Sequence, residues 1–243
     1  MRSIAAGGLF AAMVVSGFTA APAMAAPGLG GEVYGATTEK GEVEAEARYG
    51  RLDDGPDAGE DTLNLELAWS PSDRLRLGTQ LELEREPGDS RKAEALGFEA
   101  IYTLGRVGGI DVAVYGEYEV VFDGADAVET KLLLQRKAGP FDARLNLIAE
   151  KPLEDGAKVE LGYAASADIA VAGEVRAGVA AFGNLGTFDD FLPYEEHFVG
   201  PVVKAEVEGL GPEIGIEAGY LFALGKARDD ANGQFRLMVE MEF

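Results

Sequence analysis

Period-two alternation of apolar and polar side chains runs along most of the chain and restricts its fold more than any other feature. The alternation is clearest in residues 62–69 (TLNLELAW), in residues 74–84 (RLRLGTQLELE) and in the last ten residues, 234–243 (QFRLMVEMEF). Because successive side chains of a strand point to opposite faces, each of these segments has one apolar and one polar face. The pattern therefore predicts an all-β protein built from half-buried strands.

Twelve segments of this kind follow one another from Glu42 to the end of the chain. Residues 30–39 are expected either as a stub before the first strand or as its extension. The predicted strands are 42–51, 62–70, 73–86, 93–104, 109–122, 127–138, 140–151, 157–167, 168–182, 197–208, 212–225 and 233–243.

The connections between these segments alternate in length. Those after even-numbered strands are tight and contain Pro71-Ser72, Gly139 or Ala167, whereas most of those after odd-numbered strands are longer and acidic, such as residues 52–61 and 183–196. Short turns on one rim and long loops on the other are typical of outer-membrane barrels, and an even strand count brings both chain ends to one rim. The expected fold is a closed, antiparallel, up-and-down transmembrane β-barrel of about twelve strands.

The first 25 residues have the form of a cleavable secretory signal. Arg2 supplies a positive n-region, an apolar run follows from Ile4 to Phe18, and Ala23-Met24-Ala25 has the small-x-small pattern of a cleavage site. The apolar run is short for a membrane-spanning helix. We therefore expect residues 1–25 to be removed and residues 26–243 to form an outer-membrane β-barrel.

Charge and residue content exclude several functional classes. The formal net charge of -22 at pH 7 would repel a phosphate backbone, so no nucleic-acid partner is expected. The chain contains no cysteine, which excludes disulfides, cysteine catalysis and cysteine metal sites. With a single histidine as well, no cofactor and no metal ligand set are expected.

The apolar face of each strand is assigned to lipid, because a barrel of this size has a polar interior. Aromatic residues on this face fall near the two ends of the strands, as they do at membrane interfaces. A general preference of aromatic residues for strands is the alternative explanation, but it does not account for two belts. The expected belts are Trp69, Tyr102, Phe141 and Tyr163 at the periplasmic rim, and Tyr49, Phe122 and Phe222 at the outer rim.

The signal sequence, the alternating strands and a last strand that ends in Phe243 together resemble the Gram-negative outer-membrane β-barrel superfamily. The resemblance implies an outer-membrane location, with the lipid bilayer, lipopolysaccharide and the barrel-assembly machinery as partners. In that superfamily a terminal aromatic residue belongs to the signal that the assembly machinery reads. The resemblance carries this role to Phe243 and to the apolar face of its strand, Met241, Val239, Leu237 and Phe235.

The inward face is rich in charged residues, among which acidic side chains outnumber basic ones. In a water-filled pore such a wall concentrates cations, whereas in a closed barrel the same side chains pair and fill the interior. We expect a narrow, cation-favouring diffusion channel or porin-like transporter for small cationic solutes, with a plugged structural or surface-binding barrel as the alternative. The expected constriction residues are Glu44, Glu46, Glu66, Arg74, Arg76, Glu82, Glu84, Glu117, Glu119, Arg236 and Glu240.

An outer-membrane hydrolase is the minor alternative. Twelve-stranded barrels include a phospholipase family whose motif has a histidine, one further residue and then Ser-Asn-Gly. Here His197 is followed by Phe198-Val199-Gly200-Pro201, and the serines of the barrel fall in or beside predicted turns. A nucleophile and its base must lie within hydrogen-bond reach, so no enzyme activity is expected.

The two acidic loops, residues 52–61 and 183–196, contain oxygen ligands suited to hard divalent cations. Their spacing matches no calcium-loop motif, so solvated acidic loops are the preferred interpretation. A soluble lipid-binding barrel with its apolar face inward is a remaining alternative, which the two aromatic belts disfavour. Four apolar residues of the second loop suggest that it folds inward or packs as a lid: Phe188, Phe191, Leu192 and Tyr194.

Overall fold

Twelve antiparallel strands form a closed barrel in the computed structural model, which describes residues 26–207, 209 and 211–243. The expected signal segment, residues 1–25, lies outside the described residues. No helix among the described residues is long and apolar enough to cross a membrane. The elements are β1 Val43–Asp53, β2 Asp61–Ser72, β3 Leu75–Arg85, β4 Lys92–Val107, β5 Ile110–Val121, β6 Ala127–Ala138, β7 Phe141–Pro152, β8 Glu160–Ala172, β9 Val175–Thr187, β10 Glu196–Val207, β11 Glu213–Gly225, α1 Ala227–Asp230 and β12 Gly233–Glu242.

Each strand pairs with its neighbours in the chain, and β1 closes the barrel by pairing with β12. The burial of side chains follows the alternation: on β2, Glu66 and Ala68 are buried, whereas Leu65, Leu67 and Trp69 are exposed on the outside. The polar face of the strand therefore turns inward and the apolar face outward. The predicted closed, antiparallel, up-and-down barrel of about twelve strands is confirmed.

The two ends of the barrel differ in the length of their connections. As predicted, two-residue turns predominate at one end and longer loops at the other. The short-turn rim consists of residues 73–74, 108–109, 139–140 and 173–174 and the connection from β10 to β11, and the long-loop rim consists of residues 54–60, 86–91, 122–126, 153–159, 188–195 and 226–232.

The turn between β8 and β9 lies six residues later than the sequence predicts. Ala167 is not in a turn but pairs with Ala143 and Val179 inside the sheet. The chain turns instead at Gly173, whose φ of 52° suits glycine. The alanine-rich end of β8 gives little contrast between its two faces, so alternation alone does not show where the strand ends. The shift places Tyr163 near the long-loop rim, and its assignment to the opposite belt is wrong.

The other aromatic residues of the predicted belts lie at the expected ends of their strands. Those near the short-turn rim are 41–51% exposed, and those near the long-loop rim lie toward the loop ends of β1 and β11 or directly after β5. The first group is Trp69, Tyr102 and Phe141, and the second is Tyr49, Phe122 and Phe222.

Residues 26–42, which we call the lumenal segment, lie inside the barrel. From the sequence, residues 30–39 are expected to form a stub before the first strand or an extension of it. In the structure, residues 30–39 form no strand. The lumenal segment begins near the long-loop rim, where Ala26 lines a cavity between the loops. It ends at the short-turn rim, where the carbonyl of Glu42 accepts a 2.9 Å hydrogen bond from the N–H of Ser70.

The chain contains one tryptophan, Trp69, whose outward direction can be tested by fluorescence. Because Trp69 is 51% exposed on the outer face, we expect lipids with brominated acyl chains to quench its emission in reconstituted protein. A W69F/Y115W variant moves the indole to an inward position, since Tyr115 is 2% exposed, and should escape this quenching. Quenching of Trp69 by aqueous acrylamide but not by brominated lipid would contradict the outward assignment.

Candidate functional site

Side chains from several strands hydrogen-bond to the backbone of the lumenal segment. Asn146 on β7 accepts from the N–H of Tyr34 over 2.8 Å and donates through Nδ2 to the Tyr34 carbonyl over 3.0 Å. Gln135 on β6 accepts from the N–H of Ala36 over 3.0 Å. These bonds satisfy buried backbone groups that have no partner strand. Further side chains that donate to carbonyls of the segment are Arg48, Asn64, Thr103, Arg144, Gln234 and Arg236.

Glycine allows the lumenal segment to approach the wall of the barrel closely. A Cβ added to Gly50 on β1 would lie 2.5 Å from the backbone nitrogen of Gly30. Gly28 and Gly30 have φ values of 77° and 70°, which L side chains rarely adopt. The resulting turn directs Leu29 into the apolar part of the lumen, where it is 4% exposed.

One side of the lumen is apolar, which the sequence analysis did not predict. Phe182, Phe198 and Leu221 are at most 3% exposed and pack with Leu29 and Val33 of the lumenal segment. Burial of such side chains is favourable by about 25 cal/mol per Å² of apolar surface, so the segment is held by packing as well as by hydrogen bonds. The sequence feature that could have predicted this apolar side is the presence of large apolar residues at inward positions of β9, β10 and β11.

Arg48 forms the centre of an ion network inside the barrel. Its Nη1 lies 2.7 Å from Glu32 of the lumenal segment, 2.6 Å from Glu46 and 2.8 Å from Glu66. Arg48 is 3% exposed, so each of these carboxylates compensates a charge that water cannot solvate. The network thereby ties the segment to β1 and β2.

Arg76 extends the same network toward β4. Its Nη2 lies 2.7 Å from Glu44 and 2.5 Å from Glu66, and its Nη1 lies 2.6 Å from Glu99. The Tyr34 hydroxyl donates to Glu99 over 3.0 Å. A second residue of the lumenal segment therefore joins the buried network.

The ring of Tyr34 lies among aromatic and cationic groups at the centre of the lumen. Its centroid is 4.9 Å from that of Tyr115 and 4.7 Å from Nζ of Lys131. Arg48 and Arg76 also lie over the ring, each 5.9 Å from its centroid. Contacts of this kind between cations and aromatic faces are attractive, and they fix the position of Tyr34.

The structure brings together several of the residues predicted for a constriction. Glu44, Glu46, Glu66 and Arg76 meet in the ion network. Arg236 lies elsewhere in the lumen, 3.0 Å from Glu217, where it also donates to carbonyls of the lumenal segment. The remaining carboxylates of the prediction line interior cavities: Glu82, Glu84, Glu117, Glu119 and Glu240.

Arg74 does not belong to this group, and its prediction as a lumen residue is wrong. β3 begins only at Leu75, which leaves Arg74 exposed in the two-residue turn that precedes it. Its N–H donates to Oγ of Ser72 over 3.4 Å. The alternation continues through the turn in the sequence, so the pattern does not reveal the boundary.

Interior cavities follow one another along the lumenal segment. A cavity of about 650 Å³ near the short-turn rim and a cavity of about 240 Å³ beyond it share Glu32 and Tyr34 as lining residues. The second shares Lys131 and Glu150 with a third of about 200 Å³, and Ala26 with a fourth of about 310 Å³ at the long-loop rim. Carboxylates of the second cavity are Glu32, Glu82, Glu117, Glu119, Glu129 and Glu150.

Acidic residues of the long-loop rim fall into two kinds of environment. Asp61 is buried and forms ion pairs with Arg85 and Arg91. Burial and the neighbouring carboxylate of Asp57, followed by that of Glu86, raise the pKa of Glu60 to about 7. The loop between β1 and β2 is therefore partly neutralised by arginine and partly by proton uptake.

The apolar residues of loop 188–195 do not form a lid over the lumen. Their exposed fractions lie between 58% and 73%, so the suggested inward fold is wrong. The loop contacts the connection after β11, where Lys226 pairs with Glu195 over 3.1 Å. The four residues are Phe188, Phe191, Leu192 and Tyr194.

His197 lies at the start of β10 on the outer side of the wall. Its Nδ1 is 3.4 Å from the hydroxyl of Tyr163, which is also directed outward. Ser70 and Ser166 are buried on the inner side. Among the described residues, the barrel wall thus separates this histidine from the two buried serine hydroxyls.

A comparison with protein-family models finds no match, and a comparison with curated proteins finds none either. Solved structures do resemble the chain: the NanC porin has a TM-score of 0.58 at 8% identity, covering 82% of this chain and 98% of that chain. The KdgM porin has a TM-score of 0.55 at 11% identity, covering 82% and 99%. The chain has the fold of the outer-membrane β-barrels. An outer membrane channel from Pseudomonas putida F1 has a TM-score of 0.55 at 11% identity, covering 85% and 97%.

Close packing of the lumenal segment against β1 can be tested with Gly50→Ala. The added Cβ meets the backbone of Gly30, which costs about 1–3 kcal/mol and shifts the segment away from the wall. Because the chain has no cysteine, a Leu29→Cys reporter can measure this shift. We expect a membrane-impermeant maleimide to label the reporter about tenfold faster in the G50A background.

Gly215→Ala is the matched control, because its Cβ would lie 3.6 Å from Cβ of Glu240, an ordinary contact. Labelling of the Leu29→Cys reporter in this background should equal that in the parent. Equal labelling in both alanine backgrounds would mean that the segment does not pack against Gly50.

Proton uptake by Glu60 predicts a pH dependence of stability at the long-loop rim. The pKa of Glu60 is raised in the folded protein, so the folded state binds more protons than the unfolded state between the ordinary glutamate value and about pH 7. Stability should therefore fall as pH rises through this range. The acidic groups that act on Glu60 are Asp57, Glu86, Asp230 and Glu196.

Thermal unfolding at pH 5 and pH 8 measures this effect. Glu60→Gln should reduce the difference between the two midpoints, whereas Glu154→Gln, at an exposed position of another long loop, should leave it unchanged. A higher unfolding midpoint of the wild-type protein at pH 8 than at pH 5 would contradict the predicted fall in stability with rising pH.

Proposed function

We propose that this protein is a narrow diffusion channel of a Gram-negative outer membrane, with an acidic lumen that favours small cationic solutes. Its main support is the series of cavities beside the lumenal segment, whose lining residues overlap from one rim to the other. Two solved structures with the same fold are described as porins and a third as an outer membrane channel, which is consistent with a transport role.

Charged side chains line the cavities beside the lumenal segment. Arg76 lines the first cavity and Arg48 the second, and both pair with the carboxylates that surround them. The second cavity is lined by six glutamates, with Arg48 and Lys131 as its basic residues. A narrow passage with such a wall raises the local concentration of cations and excludes anions. The segment therefore sets both the width and the charge of the proposed path.

The same proposal includes export and insertion. Cleavage after Ala25 would leave Ala26 as the first residue, at the point where the lumenal segment begins. Phe243 lies at the end of β12, 67% exposed, and exchanges backbone hydrogen bonds with Val43. This position is suited to the proposed assembly signal, together with the outward side chains of the same strand. The lipid bilayer and lipopolysaccharide would surround the barrel.

A closed structural or surface-binding barrel is the second candidate. It is favoured by the depth at which the lumenal segment is buried, since Ala36 is 0% and Tyr34 4% exposed. In such a barrel the cavities would hold trapped water and no continuous path. A hydrolase receives less support, because His197 faces outward beside Tyr163.

Charge selectivity can be tested in planar bilayers with a triple variant, Glu119→Gln, Glu129→Gln and Glu150→Gln. These carboxylates line the second cavity, so their loss should lower the cation-to-anion permeability ratio by about tenfold at low salt. Reversal potentials in a KCl gradient measure this ratio. Glu154→Gln, Glu174→Gln and Glu206→Gln remove three exposed rim carboxylates and should change it little.

Anion preference in the wild-type protein would contradict the proposal. If the wild-type barrel carries no current while the Gly50→Ala variant does, the closed barrel with a displaceable segment becomes the better description.

A further inference from the structure

The seam between the first and last strands contains an unusual concentration of carboxylates. In the register of β1 and β12, Glu46 is opposite Glu240 and Glu44 is opposite Glu242. Carboxylate oxygens of Glu44, Glu46 and Glu240 all lie within 4.8 Å of one another. A second group of three, Glu32, Glu46 and Glu66, shares Glu46 with the first.

The second group has its own counter-ion. Nη1 of Arg48 lies within 2.8 Å of one oxygen from each of Glu32, Glu46 and Glu66. For Glu46 that oxygen is Oε1. This guanidinium therefore occupies the position that a metal ion would need, and the second group requires no further cation.

The first group, Glu44, Glu46 and Glu240, lacks such a central cation. Arg76 reaches Glu44 from one side, but none of the ion pairs found among the described residues includes Glu240. Glu46 is 5% exposed, and its Oε2 is buried without any hydrogen-bond partner. A buried carboxylate oxygen without a partner is costly, and this one belongs to a side chain that lies beside two other carboxylates.

Charge balance leads to the same conclusion. Six carboxylates take part in the two groups and in the contacts of Arg76, and they meet only two guanidinium groups among the described residues. Uncompensated charge of this size destabilises the interior of a barrel unless cations or protons bind there. The carboxylates are Glu32, Glu44, Glu46, Glu66, Glu99 and Glu240.

We propose that Glu44, Glu46 and Glu240 bind a calcium ion that links β1 to β12. Three oxygens within 4.8 Å of one another share a point about 2.8 Å or less from each, close to the calcium–oxygen distance of about 2.3–2.6 Å. Carbonyls or water would complete the six to eight ligands that calcium takes. The ion can enter from the short-turn rim, because the cavity of about 650 Å³ there is lined by Glu44 and Glu240.

The ion would have a structural effect that does not depend on transport. It would join the two strands whose pairing closes the barrel, so its removal should weaken the seam before the rest of the sheet. Calcium binding to the folded state alone stabilises it in proportion to occupancy. The site would therefore make barrel stability depend on calcium concentration even if the lumen conducts no ions.

The test is calorimetric titration of calcium into chelator-treated, refolded barrel at pH 7, with magnesium as the comparison ion. We expect one saturable site, and at least tenfold weaker binding in Glu46→Gln and in Glu240→Gln. Glu119→Gln is the matched control, since this carboxylate lines the lumen outside the cluster. Thermal midpoints should rise with calcium in the wild type and in E119Q but not in the two seam variants.

Folding of each variant is checked by the mobility difference between heated and unheated samples in gel electrophoresis. Absence of saturable calcium binding to the folded wild type would overturn the proposal and indicate that protons balance the seam. Equal affinity in wild type, E46Q and E240Q would overturn it as well, because the bound ion would then lie in the acidic loops. A seam variant that does not fold is replaced by Glu44→Gln, for which the same loss of affinity is expected.

Discussion

Pairing of β1 with β12 is the interaction on which the rest of the structure depends. A sheet that faces hydrocarbon cannot leave edge N–H and C=O groups unpaired, and closure removes both edges at once. Ten residue pairs, from Glu44 with Glu242 to Asp53 with Gly233, form this seam. Once the sheet is closed, the outer face must be apolar, and every polar residue at an alternate position is enclosed. The acidic lumen is therefore a consequence of closure and alternation together.

The enclosed charges do not face an open pore alone, because the lumenal segment occupies the barrel. An irregular chain is stable there only because side chains of the wall replace a partner strand, as Asn146 and Gln135 do for Tyr34 and Ala36. Apolar packing around Leu29 holds one part, and the ion network around Arg48 holds another. The proposed solute path is the volume that this segment leaves free, so its width and charge depend on a part of the chain outside the sheet.

Sequence reasoning located the strands well because their signal is local. The strands β1 and β2 alternate over most of their length, and their predicted bounds differ from the observed ones by at most two residues. Alternation did not locate the end of β8, because the alanine-rich sequence there gives little difference in polarity between the two faces. It also did not locate the start of β3, because the alternation continues through the turn that contains Arg74. The sequence analysis also did not predict the apolar cover of Phe182 and Phe198, because it assigned inward positions to water or to paired charges.

The sequence by itself determined the number of strands, the face on which most side chains lie and the excess of acidic groups inside, since all three follow from short-range alternation and composition. Only the tertiary structure decided which carboxylates meet which guanidinium groups. Glu66 and Glu99 both reach Arg76, and Glu46 lies opposite Glu240 across nearly two hundred residues, because closure brings distant strands together. The tertiary structure also decided the course of residues 26–42 through the lumen. An irregular segment has no periodic sequence pattern, and its position depends on contacts with strands that are distant in the chain.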